Sequence, residues 1–277
     1  MPLRITTLSE NTAGIPGVIA EWGLSVLVDT GEAKVLFDTG ASSSVPHNVR
    51  LLGVDLSQID KIALSHGHYD HTGGLMGVLR QAGKPMDIIA HPDVWANKYA
   101  KAGDFERYIG IPFKREELES IGASFTISEG PVWITDDIVT TGEVPMVTGY
   151  EEIEPMMRVK EGDEFLPDPF RDDQALVIKT ELGLVVVLGC AHRGAINTIK
   201  HAQKITGVEQ VHTVIGGTHL VQAGEERITL TAAALQEMGV QRVGVSHCTG
   251  LNSSVLLAQQ LGETFFFNNT GTSITVP

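Results

Sequence analysis

The sequence predicts an α/β protein in which two central β-sheets are covered by helices on both outer faces. The first third of the chain consists mainly of short aliphatic runs typical of strands, and the last third alternates such runs with helical ones. No linker rich in proline or serine separates these parts. Because each sheet must bury a face, the two sheet-rich halves are expected to pack together as one domain spanning residues 1–277.

The first half of the chain begins with strands and continues with helices. Aliphatic or β-branched runs between glycine-containing turns predict strands at 3–8, 24–29, 34–38, 61–64 and 87–90. The spacing of apolar residues predicts a helix that starts near Thr72 and ends before Gly83. Two further helices are predicted at 92–102, which opens with a proline, and at 115–121.

The second half begins with a segment that has no periodicity. Residues 143–173 contain four prolines, and acidic residues outnumber basic ones by nine to three within 151–173. We expect a long acidic loop, which would act as a lid, contact another subunit or lie in solvent. Beyond it, strands are predicted at 175–179, 184–188, 211–215 and 243–246, and helices at 195–205, 230–238 and 253–261.

Composition excludes several classes of function. The 20 basic and 34 acidic residues give a net charge of −14, which disfavours a nucleic-acid partner. No apolar stretch approaches the roughly 20 residues of a membrane-spanning helix, so no membrane association is expected. The chain has two cysteines and starts without a secretory pattern, so we expect a cytoplasmic protein.

The segment Ser65-His-Gly-His-Tyr-Asp-His-Thr-Gly-Gly74 carries the strongest chemical signal. It holds four potential metal ligands, His66, His68, Asp70 and His71, between a predicted strand and a predicted helix. Neutral imidazoles are preferred ligands of zinc and related metals, so His66 and His68 are expected to face one ion while Asp70 and His71 face a second. The alternative, a polar turn with solvated histidines, is disfavoured by this spacing.

Two more histidines follow predicted strands. His192 comes shortly after the strand at 184–188, and His247 comes directly after the strand at 243–246. A metal site needs ligands from several strand ends, so both histidines are expected to complete the site.

At this point the chain resembles the metallo-β-lactamase superfamily over nearly its whole length, and within it the branch that contains the archaeal dihydropterin synthases. The stretches that carry the resemblance are Glu10-Asn11, Glu21-Trp-Gly-Leu-Ser25, Leu36-Phe-Asp-Thr-Gly40, the metal motif, Gly142-Glu-Val-Pro145, Asp172-Asp-Gln-Ala-Leu176, Gly189-Cys-Ala-His192, Ile215-Gly-Gly-Thr-His-Leu220 and His247-Cys-Thr-Gly250. The resemblance implies a four-layer αββα sandwich. It also implies that His66 and His68 hold one metal, and that Asp70, His71 and His247 hold a second.

One departure from the superfamily pattern concerns the remaining ligands. Hydrolases of the superfamily have a histidine before one strand and a Gly-Asp pair after another, where this chain reads Asp172-Asp173 and Gly189-Cys190. We favour His192 as the ligand, because imidazole resists oxidation better than a thiolate, with Cys190 and Asp173 as alternatives. Two divalent metal ions are expected, zinc before manganese or iron.

Asp38, Cys190 and His219 are candidates for supporting roles, in orienting a ligand or contacting the substrate. By resemblance, Asp38 orients a metal-bound imidazole, although an Asx-turn would also explain an aspartate there. His219 follows two glycines and would face the substrate or lie in an ordinary loop. The histidines without spacing partners are expected to be structural: His47, His91, His201 and His212.

These residues predict a metal-dependent hydrolase-like enzyme in which water is the nucleophile. Asp70 would hold a metal and orient or deprotonate that water. The branch resemblance implies a pterin- or phosphate-bearing small molecule as substrate, with a phosphodiesterase or lactonase as the alternative. A metal-binding sensor or interaction protein without catalysis is the alternative of another class. A homo-oligomer is compatible with the sequence.

Overall fold

The computed structural model describes residues 2–277, which form eighteen strands and seven α-helices. The strands are β1 (Leu3–Ser9), β2 (Ser25–Asp29), β3 (Lys34–Phe37), β4 (Lys61–Ala63), β5 (Met86–Ala90), β6 (Lys98–Ala102), β7 (Phe105–Tyr108), β8 (Ala123–Ile127), β9 (Val132–Trp133), β10 (Ile138–Thr140), β11 (Met157–Glu161), β12 (Glu164–Pro167), β13 (Leu176–Thr180), β14 (Gly183–Leu188), β15 (Val211–Gly216), β16 (Arg242–Val245), β17 (Phe265–Phe267) and β18 (Ser273–Val276). The helices are α1 (Ser44–Leu51), α2 (Tyr69–Thr72), α3 (Leu75–Ala82), α4 (Arg115–Glu119), α5 (Ala195–Thr206), α6 (Glu225–Glu237) and α7 (Leu251–Leu261).

Two seven-stranded sheets form the centre of the molecule. The first has the order β18-β1-β2-β3-β4-β5-β8, and the second has the order β17-β16-β15-β14-β13-β10-β9. Each combines an antiparallel part with a parallel part: β3, β4, β5 and β8 run parallel in the first sheet, and β14, β15, β16 and β17 run parallel in the second. Parallel neighbours end at the same edge, so each sheet collects several strand ends in one place.

The sheets pack face to face and helices cover their outer faces. Apolar side chains of both sheets form one buried cluster, in which Phe37 and Ile89 of the first sheet meet Val185 and Val187 of the second. Val186 points the opposite way and packs with α5, α6 and α7, as the alternation of side chains along a strand requires. Helices α1 and α3 cover the first sheet. The predicted α/β class and four-layer order are confirmed.

A third, four-stranded sheet corrects two predictions. Its order is β12-β11-β6-β7. The helix predicted at 92–102 is wrong, because residues 92–95 form a 3₁₀ turn and 98–102 form β6. The loop predicted at 143–173 is wrong in part, because it contains the hairpin of β11 and β12. Strand β6 pairs with β11, about sixty residues later, and local periodicity carries no signal of such a distant partner.

The other predicted elements are present with shifted ends. The helix predicted from Thr72 is split into α2 and α3 around Gly73 and Gly74. A side chain at Gly74 would lie 1.9 Å from the Thr39 carbonyl oxygen, so only glycine allows this approach. Helix α6 starts at Glu225, five residues earlier than predicted. Helix α1 and strands β7, β8, β9, β10, β17 and β18 were not predicted.

Among residues 2–277, no helix has the length and apolar character that crossing a membrane demands.

Candidate metal centre

Five strand ends meet where the parallel parts of the two large sheets adjoin. Each of β3, β4, β14, β15 and β16 is followed by polar side chains that the sequence singled out. These are Asp38 after β3, His66, His68, Asp70 and His71 after β4, Cys190 and His192 after β14, His219 after β15, and His247 after β16. All of them are buried. The topology therefore gathers residues separated by up to about two hundred positions into one polar centre.

His66, His68 and His192 form the first group of candidate ligands. Their ligand atoms lie within 4.8 Å of one another, and the Nε2 atoms of all three rings lack a hydrogen-bond partner. Burial lowers the pKa of each imidazole well below its ordinary value, and neighbouring histidines and Lys98 lower it further. Neutral imidazoles with free nitrogen lone pairs are the state that metal coordination requires.

Asp70, His71 and His247 form a second group beside the first. Their ligand atoms also lie within 4.8 Å of one another. The Nε2 atom of His247 lies 3.2 Å from Nε2 of His71 and 3.4 Å from Oδ2 of Asp70. Burial opposes ionisation of Asp70, but its hydrogen bond with His247 and the charges of the nearby histidines outweigh burial and lower the pKa of the carboxyl. The group supplies one carboxylate and two imidazoles.

Cys190 lies between the two groups, whereas Asp173 belongs to neither. The Cys190 thiol is within ligand distance of His66 and His71, and its Sγ lies 3.1 Å from Nε2 of His71. His192 lies with His66 and His68, where the superfamily pattern would call for a third histidine. Asp173 instead accepts a hydrogen bond from the backbone N–H of Arg193 at 2.9 Å, which places that carboxylate behind the His192 loop.

Two side chains fix the orientation of the second group. Oδ2 of Asp38 lies 2.6 Å from Nδ1 of His71, so Nε2 of that ring points into the centre. Asp38 is itself held by a hydrogen bond that it accepts from the Ser65 backbone N–H at 2.7 Å. Asn11, which has no role in the sequence prediction, holds its Oδ1 3.0 Å from Nδ1 of His247. The polar pair Glu10-Asn11 just beyond β1 was the only signal that could have indicated it.

His219 lies at the edge of the same centre. Its ring groups with Cys190 and His192, and its Nε2 lies 2.9 Å from Oε2 of Glu154. Burial alone would lower the pKa of His219, but hydrogen bonds with Cys248 and Glu154 raise it to about 10. Cys248 and Glu154 therefore favour the protonated form of this ring.

Backbone strain is concentrated around this centre. Among residues 2–277, five residues other than glycine have positive φ: Asp38 (59°), Phe170 (48°), Ala191 (53°), His219 (49°) and His247 (53°). Three of them carry candidate site side chains, and the ring of Phe170 stacks on His192 with centroids 3.8 Å apart. Such conformations cost free energy and persist where the surroundings hold them, which is typical of functional sites.

The donor atoms fit transition metals such as zinc. One group offers three neutral imidazoles, and the other offers a carboxylate and two imidazoles, with a thiol within reach of both. Nitrogen donors with one oxygen or sulfur donor are characteristic of zinc and related ions. Three protein ligands in each group would leave a coordination position for water or substrate, as in catalytic sites.

A cavity of about 340 Å³ opens onto these ligands. His68, Asp70, His192 and His247 line one side of it. The third sheet forms another wall with Ala100, Phe105, Arg107 and Met157, and Trp22 and Val221 lie at its border. Trp22 and Arg107 have no place in the sequence prediction of the site. Trp22 lies in the stretch 21–25 that carries the family resemblance, whereas nothing near Arg107 in the sequence marks it as a neighbour of the metal motif.

The histidines expected to be structural lie away from the ligand groups. Each forms a hydrogen bond with a backbone group or a hydroxyl. His47 bonds the Gly17 carbonyl oxygen, His91 accepts from the Asp93 N–H, His201 bonds the Thr141 carbonyl oxygen and His212 bonds the Thr213 hydroxyl.

The fold and these ligand groups define a metal-binding α/β sandwich, and comparison with known proteins identifies its family. The family model of the metallo-beta-lactamase superfamily matches residues 23–194, so the chain belongs to this superfamily.

Particular relatives match over almost the full length. The chain is 33% identical to the 7,8-dihydropterin-6-methyl-4-(beta-D-ribofuranosyl)-aminobenzene-5'-phosphate synthase of Methanocaldococcus jannaschii, over 95% of this chain and 93% of the relative. It is 31% identical to an uncharacterized protein of the same organism, over 98% of this chain and all of that protein. The crystal structure of a metal-dependent hydrolase of the beta-lactamase superfamily superposes with a TM-score of 0.85 at 30% identity, covering 99% of each chain.

The contact between Asp38 and His71 leads to a pH-dependent prediction. Burial disfavours the charged imidazole, but the Asp38 carboxylate outweighs it and raises the pKa of His71 from 6.5 to about 9. A raised pKa contributes stability that is fully present below about pH 6.5 and is lost as the pH rises through about 9. We expect the stability advantage of the metal-free protein over its Asp38→Asn variant to shrink across this range, measured by urea denaturation.

The exposed Asp136→Asn substitution is the matched control, because it removes a carboxylate far from any histidine of the centre. Its stability difference from the unmodified protein should not follow this pH course. A pH-independent difference for Asp38→Asn would contradict the assignment of the His71 charge to Asp38.

Proposed function

We propose that this protein is a metal-dependent enzyme that activates water and acts on a small molecule bearing a phosphate group. The observation that carries the proposal is the pair of buried ligand groups, one of three histidines and one of Asp70, His71 and His247, side by side under an open cavity. A pterin-containing substrate is the first candidate, because the M. jannaschii relative at 33% identity is named for one. We further propose two zinc ions and a cytoplasmic location, which suits the two free cysteines.

Metal ions bound by these groups would lower the pKa of water towards neutrality and polarise a phosphoryl or carbonyl oxygen of the substrate. The protein supplies neutral imidazoles at His66, His68 and His192, because burial disfavours their protonation. Asp38 accepts a hydrogen bond from the Nδ1–H of His71, which leaves Nε2 of that ring facing the candidate metal position.

Asp70 is the residue proposed to handle the proton of the water. Its carboxylate lines the cavity and is held in the ionised form, so it can accept a hydrogen bond from a water or take its proton. Nε2 of His247 lies 3.4 Å from Oδ2 of Asp70, so the same ion would be held by both residues.

Arg107 is proposed to bind the phosphate group of the substrate. Among the described residues it forms no ion pair with a carboxylate, and its guanidinium lies 5.1 Å from the centre of the Tyr69 ring on the cavity wall. A protein with a net charge of −14 repels anions on average, so a local cation at the cavity is needed to attract one. Guanidinium groups match phosphate oxygens in geometry as well as charge.

The non-catalytic alternative predicts closed sites. Structural zinc is held by four protein ligands without an exchangeable position, whereas four of the candidate ligands here border a cavity large enough for a substrate. This cavity favours an enzyme over a metal-binding sensor.

Metal content tests the ligand assignment. We expect about two equivalents of zinc in the zinc-dialysed protein and about one fewer in the His66→Ala and His192→Ala variants, measured by elemental analysis. The exposed His47→Ala variant is the control and should keep both equivalents. Full occupancy in His192→Ala would move the ligand role to Cys190, and a protein that takes up no metal would contradict the proposed enzyme.

Replacement of Asp70 tests the proposed chemistry. We expect Asp70→Asn to fold normally but to lose on the order of 10²–10⁴-fold in kcat, because an amide cannot accept the proton. The substrate is chosen from a panel of pterin phosphates, phosphate monoesters, phosphodiesters and lactones. Unchanged kcat in Asp70→Asn would remove this residue from the mechanism, and activity on lactones or diesters alone would favour the alternative substrates.

Replacement of Arg107 tests the phosphate contact. We expect Arg107→Met to raise KM for a phosphate-bearing substrate roughly tenfold or more with little change in kcat, since a charge-assisted contact is lost. Lys101→Met is the matched control: Lys101 lies on the same hairpin but on the opposite face, where it packs over Phe165. Equal KM values for the two variants would exclude Arg107 as the phosphate contact.

A further inference from the structure

A buried lysine with two carboxylates lies behind the first group of ligands. Lys98, on β6, is 1% exposed, and its Nζ lies 2.8 Å from Oδ2 of Asp168 and 2.9 Å from Oδ1 of Asp172. Both carboxylates are buried as well. Burying three charged groups is costly in free energy and stabilises little by itself, so the arrangement calls for a role beyond stability.

The second oxygen of Asp172 reaches the metal motif. Oδ2 accepts a hydrogen bond from the backbone N–H of Gly67 at 2.8 Å, and Gly67 is the residue between His66 and His68. On its other side Gly67 is pressed against the chain, since a Cβ there would lie 2.1 Å from the Val94 carbonyl oxygen. The turn that presents His66 and His68 is therefore clamped between Asp172 and Val94.

The same short segment also holds the third histidine of the group. Oδ1 of Asp168 accepts a bond from the Phe170 N–H at 2.8 Å, and the Phe170 ring stacks on His192 at an angle of 13°. Residues 168–172 thus contact both loops that supply the three histidines. Lys98 joins this segment to the third sheet, whose next inward-facing residue, Ala100, lines the cavity.

We propose that Asp172, held in place by Lys98, is a positioning residue that fixes the spacing of His66 and His68 for metal binding. Both of its oxygens are engaged, one by Lys98 and one by Gly67, so Asp172 acts on the ligands and is not itself a ligand. The proposal rests on the proposed function only in requiring that the three-histidine group binds a metal.

The test compares two substitutions at the same position. Asp172→Ala removes the acceptor for the Gly67 N–H, while Asp172→Asn keeps an oxygen there, and both remove the same charge. Asp168→Asn is the control, because it also takes one charge from Lys98 and keeps its oxygen for the Phe170 N–H but does not contact the metal motif.

Cobalt(II) is titrated into each metal-free protein, and binding is followed by the visible absorption of the ion. We expect Asp172→Ala to bind one of the two equivalents about 10–100-fold more weakly, the loss typical when a contact that orients a ligand is removed. The other equivalent should be unaffected. Asp172→Asn and Asp168→Asn should match each other and stay within about threefold of the unmodified protein.

The outcomes separate the two proposals. No cobalt binding by the unmodified protein overturns the proposed function. The positioning role is overturned if the unmodified protein binds two equivalents of cobalt but Asp172→Ala and Asp172→Asn bind cobalt with equal affinities. If Asp172→Ala does not fold, the same pair is compared in a Lys98→Met/Asp168→Asn background, where no buried charge is left unpaired, and the same difference is expected.

Discussion

Imidazole nitrogens that are buried without hydrogen-bond partners are the feature on which the rest of this structure depends. Each unsatisfied buried polar atom costs about 1–3 kcal/mol, and the Nε2 atoms of His66, His68 and His192 are all in this state. Metal coordination would satisfy all three at once, so metal binding and stability are coupled in this protein. The histidines come together because the parallel strands of both sheets end at one common edge, where the loops that carry these residues begin.

The contacts around the centre hold the rings in that costly arrangement. Asp38 and Asn11 each approach the Nδ1 atom of one histidine, Asp172 fastens the turn between two others, and Phe170 stacks on the remaining ring. They come from three different parts of the chain. The third sheet then covers the centre, and through Lys98 its position is linked to that of the ligands. Binding of the metal and shaping of the substrate cavity are thus parts of one network.

Local features of the sequence were sufficient to predict strands β1 to β5 and β13 to β16 of the central sheets, together with the candidate ligands. The metal motif places four ligand-type residues within six positions, and the strands that precede His192 and His247 are clear aliphatic runs. The third sheet could not be predicted this way, because its two hairpins are joined only by the pairing of β6 with β11, about sixty residues later, and the buried lysine of β6 disguises its strand pattern. The sequence prediction of the site also missed Asn11, Arg107 and Asp172, because each is brought to the site only by the tertiary fold.

Anomalous diffraction at the zinc edge from crystals of the zinc-loaded protein tests the central claim most directly. The account requires two peaks, one about 2.0–2.1 Å from ring nitrogens of His66, His68 and His192, and one at Asp70, His71 and His247, each with a position left open to the cavity. A single ion enclosed by four protein ligands, or zinc bound away from these residues, would contradict it.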